Sequence, residues 1–256
     1  MQKPLYSSEA ELDLHKKFET FLSTELRALR EDFRFSSMNF ALFVKRQDLA
    51  RFLFFHHLYT LIMTTHGIVV EMGVNWGGGV MASFGHFRAI YEPYNFTRRI
   101  VGFYTFSGFT SIDAKDQNVG GKWSGYKVGD YRTSEGWENR LRVILDYHQN
   151  NAPAPHLEKY ELVKGDVIET LPVWLKDNPH VVISCVYFDL DLYKPTRLAL
   201  ELFRDRLPRG AVIGFDEICM KEFPGETVAL LETLGVRTQR LQRVPYHPWS
   251  SYAVVE

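Results

Sequence analysis

The chain has 256 residues, of which 45% are hydrophobic and 24% are charged, and its formal net charge is −1. This composition is that of an ordinary globular protein with enough apolar residues for one large core. The balanced charge and the scattered basic residues exclude the basic stripe of a nucleic-acid-binding protein, so we expect no nucleic-acid partner.

The first third of the chain has a helical pattern. Apolar residues recur at three- to four-residue spacing between Leu12 and Leu29. A second helix is predicted from about Gln47 to Thr65, with Gly67 as its C-cap. We therefore predict an N-terminal helical extension over residues 1–66, whose Phe and Leu content favours a homo-oligomer.

Targeting signals are not evident in the sequence. The first fifteen residues contain no apolar h-region, and the most hydrophobic segment, residues 52–63, is too short to span a bilayer. The two cysteines, Cys185 and Cys219, lie in or just after apolar runs, which predicts reduced thiols in or near the core. We expect a cytoplasmic protein with no membrane partner.

From residue 67 onward, short apolar runs alternate with helical stretches. The predicted strands are residues 68–73, 99–106, 160–166, 181–191 and 211–218. Such alternation predicts a parallel sheet covered by helices on both faces. The runs 237–244 and 250–255 predict an antiparallel hairpin at the sheet edge. The fold class is α/β, a doubly wound sheet of about seven strands in a domain spanning residues 67–256.

One predicted connection is unusually long. Residues 109–135 contain four glycines and several aromatic residues, among them Trp123, Tyr126 and Tyr131. Loops of this length are usually functional or disordered. We interpret the segment as a lid over a sugar or another ring; a surface excursion that packs on a neighbouring subunit is the alternative.

Acidic residues stand at the carboxyl ends of most of the predicted strands. In open parallel sheets ligands bind outside the carboxyl ends of the strands, so these ends are the expected site. The acids concerned are Glu71, Asp166, Asp189, Asp191, Asp216 and Glu217.

The first strand leads into a glycine-rich loop, VVEMGVNWGGGV, at residues 69–80. The spacing differs from the dinucleotide fingerprint G-x-G-x-x-G, and Arg98 and Arg99 stand where an acid would bind the ribose of NAD. A negative charge at Glu71 would repel a pyrophosphate but would suit a cationic ligand. S-adenosylmethionine fits, because it carries a sulfonium and an ammonium and its carboxylate can use the N–H groups of the following helix start. A tight strand-to-helix turn without a ligand is the structural alternative.

The last two acidic strand ends predict a second cluster. Asp189 and Asp191 are two residues apart, and Asp216 and Glu217 end the next strand along the chain. If the two strands are neighbours, these carboxylates repel one another unless a cation lies between them. An all-oxygen cluster suits Mg²⁺ or Ca²⁺. Helix capping by some of the acids is the alternative.

These segments together resemble a known family. VVEMGVNWGG, YFDLDLYKPT at 187–196 and GAVIGFDEI at 210–218 are similar to the macrocin O-methyltransferase family, as are RQDLARFL at 46–53 and VGFYTFSGFT at 101–110. The resemblance covers about residues 47–256. It implies a class I (Rossmann-like) methyltransferase that uses S-adenosyl-L-methionine and Mg²⁺ to methylate a deoxysugar hydroxyl, on TDP-rhamnose or a related sugar, in antibiotic biosynthesis.

The resemblance also implies site residues. The metal acids fall on Asp191, Asp216 and Glu217; Glu217 departs from the aspartate common at that position. The cofactor-binding residues fall on Glu71, Gly73, Asn75, Gly77, Tyr104, Thr105, Ser107, Asp166, Val167 and Asp189. Tyr104 is a second departure, because the family usually has a ribose-binding acid there.

Methyl transfer needs a deprotonated, oriented acceptor oxygen. By position, Asp191 is a candidate for both metal ligand and general base, and His148 and His247 are alternative bases. Three other functions stay open from the residues: a catechol-type methyltransferase, a nicotinamide-dependent oxidoreductase, and a non-catalytic assembly module.

Overall fold

The computed structural model describes residues 9–24, 40–117, 126–237 and 240–256. The chain forms two compact units, Met1–Leu49 and Ala50–Glu256. The first contains α1 (Glu9–Thr24) and a single short turn of helix, α2 (Phe40–Phe43). Residues 25–39, which include Leu29 of the predicted helical pattern, lie outside the described residues.

The second unit is built from six strands and six helices of the described chain. Helix α3 (Arg46–Ile62) begins just before this unit and continues into it. The other helices are α4 (Val80–Tyr91), α5 (Trp137–Asn151), α6 (Val167–Asp177), α7 (Tyr193–Phe203) and α8 (Pro224–Thr233), with short 3₁₀ helices at Ala114–Asp116 and Arg204–Arg206. The strands are β1 (Ile68–Met72), β2 (Ile100–Tyr104), β3 (Tyr160–Lys164), β4 (Ile183–Phe188), β5 (Val212–Phe215) and β6 (Ser251–Val254).

The strands form one sheet in the order β3-β2-β1-β4-β5-β6. Strands β1 to β5 are parallel, and β6 runs antiparallel to β5. The strand order reverses at β1, where Met72 pairs with Phe103 of β2 on one side and with Phe188 of β4 on the other. The carboxyl ends of these three strands therefore lie level at the topological switch point, where open α/β sheets bind their ligands.

Apolar side chains cover both faces of the sheet, as its parallel strands require. Neighbouring residues of β1, Val69 and Val70, belong to two different core clusters, and so do Val186 and Tyr187 of β4. All residues of β1 and β4 are buried. The predicted α/β class with a doubly wound sheet is confirmed.

The predicted edge hairpin is different in detail. In the described part of the chain, residues 237–244 contribute only an isolated bridge between Gln242 and Tyr252, with residues 238–239 undescribed. The antiparallel edge pair is β5 with β6, so the sheet has six strands instead of about seven. Val244 and His247 of the 240–248 stretch are buried and Leu241 packs against the core, but only Gln242 bonds to the sheet as a bridge.

Three further expectations can be placed on the structure. The predicted boundary after residue 66 differs from the division after Leu49, because α3 buries Phe54, Phe55 and Leu58 in the core of the second unit. Of the two free cysteines, Cys185 is buried, whereas Cys219 is exposed and not near-core. The predicted lid contains residues 118–125, Trp123 among them, which lie outside the described residues. No described helix is long and apolar enough to cross a bilayer.

Candidate active site

A cavity of about 270 Å³ opens at the carboxyl edge of the sheet. The ends of β1, β2, β4 and β5 reach it, together with α3, the start of α6 and the loop after β2. It is lined by Arg51, Gly73, Asn75, Tyr104, Thr105, Gly108, Phe109, Thr110, Tyr131, Asp166, Val167, Asp189, Leu190, Asp191, Leu192, Pro195, Asp216 and Glu217.

The four glycines of the glycine-rich loop have different structural roles. Gly73 lines the cavity at φ +102°, and a Cβ there would lie 1.9 Å from the carbonyl oxygen of Asp189. Gly77 also has a positive φ, +82°, and a Cβ would meet Leu141. Gly79 has no room because the Glu71 carboxylate lies against it, whereas a Cβ on Gly78 would meet nothing within 4 Å. Three of the four glycines are therefore required by backbone conformation or close packing.

Glu71 caps the helix that follows the loop. Its Oε1 accepts a hydrogen bond from the Val80 N–H at 2.7 Å, and its Oε2 accepts one from the Met81 N–H at 2.8 Å. The side chain is buried and does not line the cavity. Burial raises the pKa of Glu71 to about 7, although the two backbone hydrogen bonds oppose the shift. Glu71 therefore contributes to the site by holding the start of α4, and its side chain does not form part of the cavity wall.

The predicted cofactor residues lie mostly on one side of the cavity. Asn75, Thr105 and Val167 line it, whereas Ser107 is exposed and does not. At residue 104 the resemblance implies a ribose-binding acid, and this chain has the hydroxyl of Tyr104 instead. It donates to the carbonyl oxygen of Tyr131 and lies 3.4 Å from Asn75 Oδ1. Tyr104 thereby joins the end of β2 to the C-terminal part of the long connection.

Asp166 lies at the N-terminus of α6 and lines the same side of the cavity. Its Oδ1 accepts a hydrogen bond from the Ile168 N–H at 2.9 Å, and its Oδ2 accepts one from the Thr110 hydroxyl at 2.5 Å. One carboxylate thus caps a helix and fixes the loop after β2, both of which form the cavity wall.

The opposite side of the cavity carries a carboxylate cluster. Asp189, Asp191 and Glu217 each present an oxygen within 4.8 Å of the others. Asp191 is held at φ +60°, a left-handed conformation that is unusual for a residue other than glycine. Glu217 Oε2 is buried without a hydrogen-bond partner among the described residues. A buried, unpartnered carboxylate oxygen beside two further carboxylates is the environment a hard cation would satisfy.

Asp216, the third predicted metal acid, has different neighbours. Its Oδ1 accepts hydrogen bonds from Arg51 Nη1 at 2.6 Å, the Tyr187 hydroxyl at 2.5 Å and the Ser250 hydroxyl at 3.0 Å. Arg51 also donates from Nη2 to Asp189 Oδ2 at 2.9 Å. Of the described residues that line the cavity, Arg51 alone is basic. It lies in the segment RQDLARFL at 46–53, but nothing in the sequence marked it as a site residue.

The cluster is electrostatically strained, and its members respond differently. Burial raises the pKa of Asp191 to about 6, and burial together with the surrounding negative charges raises the pKa of Asp189 and of Glu217 well above the usual range. Burial also acts on Asp216, but the Arg51 guanidinium and the hydrogen bonds outweigh it and hold its pKa below the usual value. The site therefore carries more carboxyl groups than its single arginine can neutralise.

Two further buried carboxylates hold the loop that presents Asp191. Glu226, near the start of α8, accepts hydrogen bonds through Oε1 from the Leu190 and Asp191 N–H groups at 3.0 and 3.3 Å. Asp116, in the 3₁₀ helix after β2, accepts one from the Tyr193 N–H at 2.6 Å. The sequence reasoning missed both, although the Pro-Gly-Glu run at 224–226 has the form of a helix start.

The two candidate histidine bases lie away from the cavity. His148 on α5 packs its ring against His86, with centroids 4.6 Å apart. His247 is buried, stacks on Phe54 and accepts a hydrogen bond at Nδ1 from the Ser250 N–H. Neither histidine lines the cavity.

Solved structures of similar fold identify the class. The chain is 33% identical to a calicheamicin methyltransferase, CalS11, with a TM-score of 0.89 over 98% of this chain and 94% of that chain. An apo structure of CalS11, a TDP-rhamnose 3'-O-methyltransferase of calicheamicin biosynthesis, is 31% identical, with a TM-score of 0.80 over 98% and 96% of the two chains. The O-methyltransferase NovP shares the fold at 16% identity, with a TM-score of 0.56 over 80% and 79%. No protein-family model and no curated protein matches the chain.

The switch-point cavity, the glycine-rich loop and these likenesses define an S-adenosylmethionine-dependent O-methyltransferase of class I fold. More narrowly, the chain belongs to the family of the calicheamicin methyltransferase CalS11. The resemblance drawn from the sequence is confirmed.

Proposed function

We propose that the protein transfers a methyl group from S-adenosylmethionine to a hydroxyl of a deoxysugar, TDP-rhamnose or a related sugar, in antibiotic biosynthesis, with assistance from Mg²⁺. The observation that carries the proposal is one cavity lined both by Gly73, Asn75 and Tyr104 at the ends of β1 and β2 and by a cluster of three carboxylates. Supporting it, the similar protein CalS11 is a TDP-rhamnose 3'-O-methyltransferase.

The methyl donor would occupy the side formed by the ends of β1, β2 and β3. Gly73 brings backbone close to the cavity without a side chain, and Asn75 and Tyr104 offer polar groups to ribose hydroxyls. Asp166 and Val167 would border the adenine. The sulfonium would then face the carboxylates, whose negative charge attracts it.

The metal ion would be held by Asp189, Asp191 and Glu217. The fit rests on the all-oxygen donor set, on the mutual approach of the three oxygens within 4.8 Å, and on the unpartnered Oε2 of Glu217. Asp216, which the resemblance counts among the ligands, lies beside this group with its Oδ1 already bonded to three donors.

The chemistry asks the protein to orient an oxygen and to remove a proton. The acceptor oxygen forms a bond to the methyl carbon as the carbon–sulfur bond breaks, and the hydroxyl proton leaves for a base. A divalent cation, when bound, supplies positive charge that lowers the pKa of a neighbouring hydroxyl. Asp191 is the proposed proton acceptor, since its carboxylate lines the cavity beside the proposed acceptor site. The aromatic rings of Phe109 and Tyr131, whose centroids lie 5.2 Å apart, would shield the reaction from water.

The direct test is an acceptor panel. The protein is incubated with S-adenosylmethionine, Mg²⁺ and a set of TDP-deoxysugars, and product masses are read for a gain of one methylene. Catechols are included, because a catechol-type methyltransferase would also use a divalent cation to activate an acceptor hydroxyl. Methylated TDP-sugars are expected; methylated catechols with unchanged sugars would replace the proposal with that second function.

Substitution of the acids tests their roles. Asp191→Ala and Asp216→Ala are expected to abolish turnover while S-adenosylhomocysteine still binds, because the first removes the proposed base and ligand and the second removes the anchor of Arg51. Asp205→Ala, at an exposed position, is the control. Turnover that persists unchanged in the presence of EDTA would exclude the metal role.

A further inference from the structure

Arg51 occupies a special position among the acids of the cavity. It comes from α3, far in sequence from its partners, and its two terminal nitrogens reach two different carboxylates, Asp216 at 2.6 Å and Asp189 at 2.9 Å. Both contacts are short enough to be charge-assisted hydrogen bonds. The arginine thus spans the gap between the ends of β4 and β5.

One side of this bridge is rigid. Asp216 Oδ1 is held by the Tyr187 and Ser250 hydroxyls as well as by Arg51. The Arg51 guanidinium lies 5.1 Å from the centroid of the Phe55 ring, and Phe55 packs edge-on against Tyr187 at 5.1 Å. Phe55, Tyr187, Asp216 and Arg51 therefore close a ring of contacts that leaves the guanidinium little freedom to move.

The other side of the bridge is the functional one. Arg51 takes Oδ2 of Asp189, and Asp189 is one of the three residues whose oxygens converge within 4.8 Å. We propose that Arg51 is a positioning residue, which uses Asp216 as its anchor and fixes the Asp189 carboxylate in the orientation that completes the cation site. The proposal rests on the proposed function and adds to it a residue to which the sequence patterns assigned no role.

The chemistry requires arginine and not simply a positive charge. A guanidinium presents its N–H groups in a planar fork that can reach two carboxylates at once, whereas a lysine ammonium is a point charge on a flexible stem. A lysine at position 51 would keep the charge balance but would hold one carboxylate instead of both. A neutral residue at position 51 would leave no positive charge between Asp189 and Asp216, and their carboxylates would repel each other.

The test measures Mn²⁺ binding by the cofactor-free protein, with electron paramagnetic resonance of the free ion as the readout. Arg51→Gln is expected to weaken Mn²⁺ binding at least tenfold, and Arg51→Lys is expected to recover part of that loss. Arg142→Gln is the matched control, because Arg142 is a surface residue that pairs with the adjacent-turn Glu138 at 3.2 Å; it should bind as the parent protein does. Melting temperatures show that each variant is folded.

Several outcomes would overturn the proposal. Tighter Mn²⁺ binding by Arg51→Gln would mean that Arg51 competes with the metal. Unchanged Mn²⁺ affinity with lost turnover would mean that Arg51 contacts substrate or cofactor directly. If the parent protein binds S-adenosylhomocysteine but no Mn²⁺, the metal part of the proposed function fails, and calorimetry with S-adenosylhomocysteine decides the role of Arg51. Weaker binding by Arg51→Gln with partial recovery by Arg51→Lys would then support positioning of Asp189, and equal affinities would refute it.

Discussion

Single residues at the site show a repeated compromise, in which carboxyl groups are buried although burial opposes their charge. Glu71 and Glu226 use backbone N–H groups to offset that cost, and Asp216 uses Arg51. Strand ends can be recognised in a sequence, so the acids at the ends of β1, β4 and β5 were predictable. Arg51 was not, because its partnership with Asp216 bridges 165 residues and no local pattern encodes such a contact.

Glu71 gives the residue-scale prediction. Its pKa rises from 4.5 to about 7 on folding, chiefly through burial. Between pH 4.5 and about pH 7, Glu71 is deprotonated in the unfolded chain but still protonated in the folded protein. Its contribution to the free energy of unfolding therefore falls as the pH rises, by about 3 kcal/mol in total. Glu71→Gln, measured by urea unfolding from pH 5 to 8, should be less stable at pH 5 because one helix-capping acceptor is lost, by about 1–3 kcal/mol.

The slope of the free energy of unfolding against pH is the quantity that decides this experiment. Glu71→Gln should lose part of the decline in stability between pH 5 and 8, whereas Glu169→Gln, at an exposed position on α6, should keep the parent profile. An unaltered slope in Glu71→Gln would show that Glu71 does not retain its proton in the folded protein.

At the scale of elements, the predicted strands and helices lie within a few residues of the observed ones. The second predicted helix, from about Gln47 to Thr65, is α3. These elements were predictable because their apolar periodicity reflects burial against one sheet. Of the strand predicted at 237–244, the described residues form only the antiparallel bridge between Gln242 and Tyr252, because alternating residues do not determine how far pairing extends. The conformations of the loops around the cavity could not be predicted from the sequence either, because buried acids from other elements determine them. Asp116 and Glu226 do so for the loop of Asp191.

Two adjacent glycines, Gly78 and Gly79, in the turn between β1 and α4 are predicted to respond differently to substitution by alanine. A Cβ on Gly79 would lie 2.4 Å from Glu71 Oε1, which is fixed by its bonds to the helix start. Gly79→Ala should therefore displace the cap and destabilise the protein by about 1–3 kcal/mol. Gly78→Ala, with open space around it, should be neutral or should stabilise by up to about 1 kcal/mol. Denaturant unfolding of both variants measures the difference; equal stabilities would refute the close packing of Glu71 on the helix start.

At the scale of the whole molecule, the sequence predicts association of copies through the N-terminal extension. In the first compact unit, Leu14 and Phe21 of α1 are exposed, with 64% and 51% of their surface accessible, and Phe40 and Leu42 of α2 are exposed as well. Apolar side chains of this size left in water favour an interface. A second copy of the same chain is the proposed partner.

Light scattering coupled to size exclusion tests that association. The parent protein should elute as a homo-oligomer, and Leu14→Glu with Phe21→Glu should reduce its mass, because a charge would be buried at the interface. Lys17→Glu changes the charge of the same helix at an exposed position and should leave the mass unaltered. A monomeric parent protein would exclude the prediction.

The account as a whole depends on methyl donor and cation sharing one cavity at the carboxyl edge of the sheet. Crystals grown with S-adenosylhomocysteine and Mn²⁺ test this most directly, because anomalous scattering locates the metal independently of the protein. The account predicts a peak bonded to oxygens of Asp189, Asp191 and Glu217, with the thioether sulfur in the same cavity and the ribose beside Asn75 and Tyr104. A manganese peak elsewhere, or a nucleoside bound outside this cavity, would contradict it.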